Sequence, residues 1–184
     1  MALQQSPQSL NKIKATQHHN PQSGFTLIEL LIVFAIIGVM SAFFATNFIT
    51  AKNKATDAVR KSNLAQLQKA LDLYYNTNYS YPTTGGSWYG LADNATGGFK
   101  ELSGTNGYIP NLAPTYLLKL PVDPSGDTSE WSGFLYRSDG NNYKILVHEN
   151  GPKSFPPAGD HFYDPARPTT AWKVTNNDTA TAAW

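Results

Sequence analysis

The chain has 184 residues, room for one domain or for one domain with an appendage. Charged residues make up 15% of it, against about 25% in an average soluble domain, and 14 basic residues against 13 acidic ones give a net charge of +1. That balance supplies no basic field for nucleic acid, and a chain without cysteine forms no disulfide, thiolate nucleophile or Cys-ligated metal site.

Met1 to Gly24 is rich in Gln, Ser and Asn and carries Lys12 and Lys14 without any acid, which suits a cytoplasmic leader. Phe25 to Phe48 then reads FTLIELLIVFAIIGVMSAFFATNF, and Leu30 to Ala51 are 22 consecutive uncharged residues. As a helix, such a run crosses a hydrocarbon core of roughly 30 Å. A buried core helix is the weaker alternative, because so long an apolar run needs a larger protein around it. A secretory signal peptide also fits less well: Glu29 interrupts the start of the apolar region, and Phe43 and Phe44 crowd the place where small residues would mark a cleavage site. Lysine and arginine counts do not set the orientation, since Lys52, Lys54, Arg60 and Lys61 follow the run closely.

Glu29 is the most informative residue in this region. A carboxylate in the bilayer costs about 2.5–3.5 kcal/mol on insertion scales, so an acid there usually has a partner or a role. No Lys, Arg or His lies between Phe25 and Ala51, so a compensating cation must come from a new amino terminus, a lipid headgroup or another subunit. The alternative is an acid near the helix start, stabilised by the macrodipole and the interface.

Ser23-Gly24-Phe25-Thr26-Leu27-Ile28-Glu29, followed by the apolar run, resembles the class III signal of type IV pilins and type II secretion pseudopilins. The resemblance implies cutting by a prepilin peptidase between Gly24 and Phe25, N-methylation of Phe25, and a Glu29 carboxylate that neutralises a neighbouring subunit's amine during filament assembly. It further implies a homo-oligomer in a helical filament, an inner-membrane assembly platform and minor pilins or pseudopilins as partners. The subunit would start as a single-pass inner-membrane protein with its head in the periplasm or outside.

Beyond the membrane segment Ala55, Ala58, Val59, Leu64, Leu67, Leu71 and Tyr74 follow an imperfect helical spacing, which predicts an amphipathic continuation. No proline occurs between Phe25 and Tyr81, so a single helix from Phe25 to about Asn76 is expected, roughly 80 Å long. Many members of the family have a proline about where Thr46 stands. Its absence predicts a more continuous helix, with only Gly38 to weaken it. Lys69 to Thr84 (KALDLYYNTNYSYPTT) and Pro114 to Pro124 (PTYLLKLPVDP) resemble the corresponding stretches of the major pseudopilin of type II secretion.

The expected organisation is therefore a leader over 1–24, a transmembrane and assembly half of the helix over 25–50, an amphipathic half over 51–77 and a globular head over 78–184. The fold class is α+β, a long helical stem packed on a small antiparallel sheet in a pilin-like manner. Thr83 to Gly107 has turn signals at Gly85-Gly86, Gly97-Gly98 and Asn106-Gly107 and reads as an irregular αβ-loop with at most a short helical piece. Phe134 to Arg137 and Tyr143 to Val147, on either side of Ser138-Asp139-Gly140-Asn141-Asn142, predict a β-hairpin with one face on the stem and Arg137 and Lys144 on the other. Pro165 to Thr175 offers a final edge strand restricted by its prolines.

The chemistry for an enzyme is thin: His148 and His161 are the imidazoles outside the leader, and no nucleophile motif or phosphate-cradling loop stands out. Asp160, His161 and Asp164 read as a solvated loop rather than a metal site. Pseudopilins of this type often hold calcium in the loop region after the L-P-x-D-P stretch, which makes Asp123, Asp127 and Asp139 candidate oxygen ligands. Their spacing does not reproduce the family pattern.

The sequence thus points to a structural subunit of a type IV pilus-like or type II secretion filament and not an enzyme, the alternative being an unpolymerised, membrane-anchored adhesin or binding module. Removal of the leader would leave 12 basic residues against 13 acidic ones and turn the net charge to −1.

Overall fold

The computed structural model describes residues 24–96, 99–149 and 151–184. The predicted leader up to Ser23, with Lys12 and Lys14, and the Gly97-Gly98 turn lie outside the described residues. The chain divides into two units, one ending at Phe44 and one running from Ala45 to Trp184.

One long helix, α1 (Leu27–Asn78), enters both units. It is continuous through Gly38 and Thr46, as the missing proline predicts. In the first unit its apolar side chains are bare, Leu31, Phe34, Ile36 and Val39 among them, and the helix is long and apolar enough to cross a membrane.

In the second unit α1 buries a stripe spaced three and four residues apart: Asp57, Arg60, Leu64, Leu67, Ala70 and Leu71. The lower part of this stripe is apolar as expected. Its upper part is not: Ala55, Ala58 and Val59 are exposed, and Asp57 and Arg60 take the inward positions. The helix ends where Tyr79 adopts a left-handed φ of 55° and its N–H donates to the Tyr75 carbonyl at 2.7 Å.

The sheet is antiparallel with strands in chain order, β1 (Tyr89–Gly90), β2 (Gly133–Ser138), β3 (Tyr143–His148) and β4 (Ala171–Thr175). The predicted hairpin is β2–β3, and the predicted edge strand is β4. The 83–107 region contributes β1, an edge pair in which Tyr89 faces Tyr136 and Gly90 faces Leu135, in place of the short helical piece. Gly90 allows this pairing, because a Cβ there would lie 2.6 Å from the Phe134 carbonyl oxygen.

Period-two alternation sorts the strands into two faces. Phe134, Tyr136, Tyr143, Ile145, Val147, Trp172 and Val174 join Leu64, Leu67 and Leu71 of α1 in the main core. Leu135, Leu146 and Ala171 point the other way and are covered by Ala92, Ala95, Trp88 and Trp131. The sheet is thus buried on both faces. For that reason Lys144, expected at the solvent side, is fully buried.

Candidate assembly and head-anchoring sites

The start of α1 carries a reciprocal cap. The Thr26 backbone N–H and its hydroxyl each donate to Glu29 Oε2 at 2.7 Å, and the Glu29 N–H donates to Thr26 Oγ1 at 3.3 Å. This is a capping box, in which a side chain three residues into the helix satisfies a free donor at its entrance. Glu29 therefore has local hydrogen-bond donors in the single chain. The carboxylate is held at the helix end where the macrodipole favours an anion.

Phe25 is 86% exposed, and a Cβ built on Gly24 would meet nothing within 4 Å. Among the described residues nothing packs against position 24 so closely as to require glycine there.

The head is fixed to α1 by a buried charge network that sequence reasoning missed. Arg60 Nε and Nη2 donate to Asp123 Oδ2 and Oδ1 at 2.7 Å each, and Arg60 Nη1 donates to Asp57 Oδ1 at 2.9 Å. Asp57 also accepts from the Lys153 N–H at 3.2 Å and the Ser154 hydroxyl at 3.0 Å. Burial pushes the Asp123 carboxyl up, but the hydrogen bonds and charge of Arg60, with the bonds from Ser125, outweigh it and hold the group below its ordinary value. Asp57 and Arg60 fall three apart on the helical stripe, which is the one sign of this network that the sequence offered.

A second network lies on the outer face of the sheet. Lys144 Nζ donates to Asp164 Oδ1 at 2.8 Å with both side chains fully buried, and Arg167 Nη1 reaches Asp164 Oδ2 at 3.2 Å. Burial draws the Lys144 ammonium below its ordinary value against the opposing pull of Asp164. Lys144 and Arg137 are direct cross-strand neighbours, a like-charge pair that would be unfavourable alone. Asp164 answers Lys144, while the Arg137 guanidinium sits over the rings of Trp88 and Trp184 at 5.8 and 5.0 Å.

The candidate metal ligands do not converge. Asp123 is committed to Arg60 and Ser125, and Asp127 Oδ1 accepts from the Ser129 N–H and hydroxyl at 2.9 and 2.7 Å. Both lie near Gly133 at the start of β2. Asp139 follows the end of that strand, about 20 Å away, where its Oδ1 accepts the N–H groups of Asn141 and Asn142 and closes the hairpin turn. Asp160 accepts from the Phe162 N–H, His161 is exposed and Asp164 is buried with Lys144, so these three do not form a ligand set either. Among the described residues no group of three or more His, Asp or Glu is placed to hold a metal ion.

Two family models match the chain. One is described as the prokaryotic N-terminal methylation motif and covers residues 19–45, and the other as type II secretion system protein G, covering residues 47–161. Curated proteins called type II secretion system core protein G are similar over most of their length. The protein of Pseudomonas aeruginosa is 32% identical over 60% of this chain and 72% of its own. That of Escherichia coli K12 is 33% identical over 58% and 68%, and that of Vibrio cholerae 31% identical over 71% and 80%. No solved structure matches.

Proposed function

Because the chain belongs to the type II secretion system protein G family, we propose that it is the subunit from which a secretion pseudopilus is polymerised, cut between Gly24 and Phe25 and registered in the filament by Glu29. The family is that of the major pseudopilin, a structural subunit. This membership favours a secretion pseudopilus over a surface pilus. The observation that carries the reading is the junction of the two family matches: the methylation motif spans Gly24 to Glu29, and the protein G match begins at Asn47, still within α1.

The residues support a two-stage mechanism. A prepilin peptidase needs a small residue before the scissile bond. Gly24, which no contact among the described residues requires to be glycine, meets that need. Both residues of the capping box, Thr26 and Glu29, lie on the mature side of the cut, so the box survives processing. In the membrane those hydrogen bonds offset part of the cost of placing a carboxylate near the bilayer. On assembly an incoming chain's Phe25 amine, charged and adjacent in sequence to Thr26, competes for Glu29. An ion pair in the dry filament centre is strong only when its geometry is right, so a misregistered subunit leaves a buried charge unanswered.

The bare apolar flank of α1 in the first unit then exchanges lipid for neighbouring helices, while the head stays folded around the second half of the helix. The inner membrane is the site of storage, with the head on its outer side. The assembly platform and minor pseudopilins are the partners that extract the subunit and start the filament. Mass spectrometry of the protein from a host with an intact peptidase tests the first stage: the expected N-terminus is methylated Phe25, and any other terminus defeats it. Glu29→Ala tests the second. Normal filament length and secretion in that strain would leave a membrane-anchored binding module as the better description.

A further inference from the structure

On the face of the sheet turned away from α1, Trp88, Trp131, Leu135, Leu146, His148 and Arg167 line a cavity of about 280 Å³. Three properties specify what would fill it. Its leucines are buried and its indoles half-buried, a lining that gains from contact with an apolar group of ring size. Arg167 brings a guanidinium whose hydrogen bonds, to Asp164 Oδ2 and to the Trp184 carbonyl oxygen, both leave from Nη1, so the rest of its planar fork can meet an acceptor. His148 carries a buried Nδ1 with no hydrogen-bond partner among the described residues, Glu149 Oε1 at 3.6 Å being too far.

The surrounding charge favours an anion. Arg137, Lys144 and Arg167 gather on this side of the sheet against Asp164, which Lys144 and Arg167 share, and Glu149 beside His148, so one positive charge is in excess. A neutral sugar could lie against the indoles, but it would leave the excess positive charge, and the donors of Arg167 not taken by Asp164 and Trp184, unanswered. We infer that the cavity binds a small monocarboxylate bearing a planar ring: the ring lies against the indoles and leucines, one carboxylate oxygen accepts from Arg167 and the other from His148 Nδ1–H. The site uses no residue of the N-terminal unit, so it stands or falls independently of the assembly role of Glu29.

Benzoate is the probe, titrated into the full chain in detergent micelles while the indole N–H signals are followed by NMR. Benzyl alcohol supplies the ring without the charge, and acetate the charge without the ring. The expected result is a saturable shift of the Trp88 and Trp131 signals with benzoate and binding about tenfold weaker or worse with either control, as loss of a charge-assisted pair or of ring burial requires. Arg167→Gln should weaken benzoate binding by about tenfold. Because Arg167 also holds Asp164, Leu146→Phe is the second variant: it fills the cavity and should abolish the shift while the Trp172 signal stays in place. Equal affinity for benzyl alcohol, no saturation up to tens of millimolar benzoate, or unaltered binding in both variants overturns the assignment. The three probes on the unaltered protein decide the matter even where a variant misfolds.

Discussion

Arg60 of α1 and Asp123 of the loop before β2, 63 residues apart in sequence, are joined by two hydrogen bonds of 2.7 Å with side chains 1% and 2% exposed. A planar guanidinium facing a carboxylate through both oxygens fixes angle as well as distance, so the pair sets how the loop meets the helix. Asp57 then extends the same clamp to Lys153 and Ser154.

Arg60→Leu should destabilise the head by about 3–5 kcal/mol, because it leaves Asp57 and Asp123 buried without their cation. Arg60→Leu combined with Asp123→Leu should cost clearly less than the two single changes added together. Urea unfolding followed by tryptophan fluorescence checks both. A loss below about 1 kcal/mol for Arg60→Leu would place the pair among weak surface bridges.

The same clamp makes the head acid-sensitive. The Asp123 carboxyl lies below its ordinary value of 3.8 in the folded chain, so its stabilisation is fully present above that value and is lost as the pH falls through the lowered one. Asp123→Asn should flatten the stability curve in that acid range while lowering its plateau.

His148 acts over a higher window. Burial, reinforced by Arg167, pulls its pKa down from 6.5 to about 4, so the unfolded chain takes up a proton that the folded one refuses. Stability should therefore fall as the pH drops from about 6.5 towards 4, by on the order of 1–3 kcal/mol. His148→Gln should remove that slope. Unfolding midpoints measured across pH 4 to 7 for both proteins provide the comparison, and a slope that persists in the variant would assign it to another group.

At the helix start, Thr26→Val removes a hydroxyl from Glu29 but keeps the backbone donor and the side-chain shape. Loss of the hydroxyl takes one charge-assisted hydrogen bond from the carboxylate. We expect Thr26→Val to lower the amount of subunit held correctly in the membrane and the yield of filaments, and Thr26→Ser to restore both. Equal yields from Val and Ser would show that the hydroxyl takes no part. Cross-linking of membrane fractions together with sheared filaments reads the two pools separately.

Gly90→Ala should detach β1. A Cβ at that position would lie 2.6 Å from the Phe134 carbonyl oxygen and 2.7 Å from Leu135 Cδ2, so the edge strand must shift away from β2. A cost of about 1–3 kcal/mol is expected from such crowding. Faster proteolysis within 83–107, with the β2–β3 hairpin still protected, is the sign to look for.

The sequence by itself determined those features that depend on neighbours along the chain. An apolar run of 22 residues, a glycine and an acid at its entrance, and an uninterrupted helical stretch define the membrane segment and α1 without reference to the rest of the molecule. The β2–β3 hairpin was legible for the same reason, since alternation and an Asp-Gly turn are local signals. The capping box was spelled out in Thr26 and Glu29, three residues apart.

Tertiary structure alone decided which charges are inside. A lysine on a strand or an arginine on a helix reads as solvent-facing until something covers it. Lys144 is covered because loops carrying Trp88, Asp164 and Trp184 close over the outer face of the sheet, and Arg60 because a loop 63 residues later brings Asp123 to it. The cost of burying a charge is met only by a partner of opposite sign, and here those partners come from remote parts of the chain. The tertiary arrangement likewise explains Asp123, Asp127 and Asp139: the length of β2 holds Asp139 away from the other two, and each carboxylate is taken up by hydrogen bonds within its own loop.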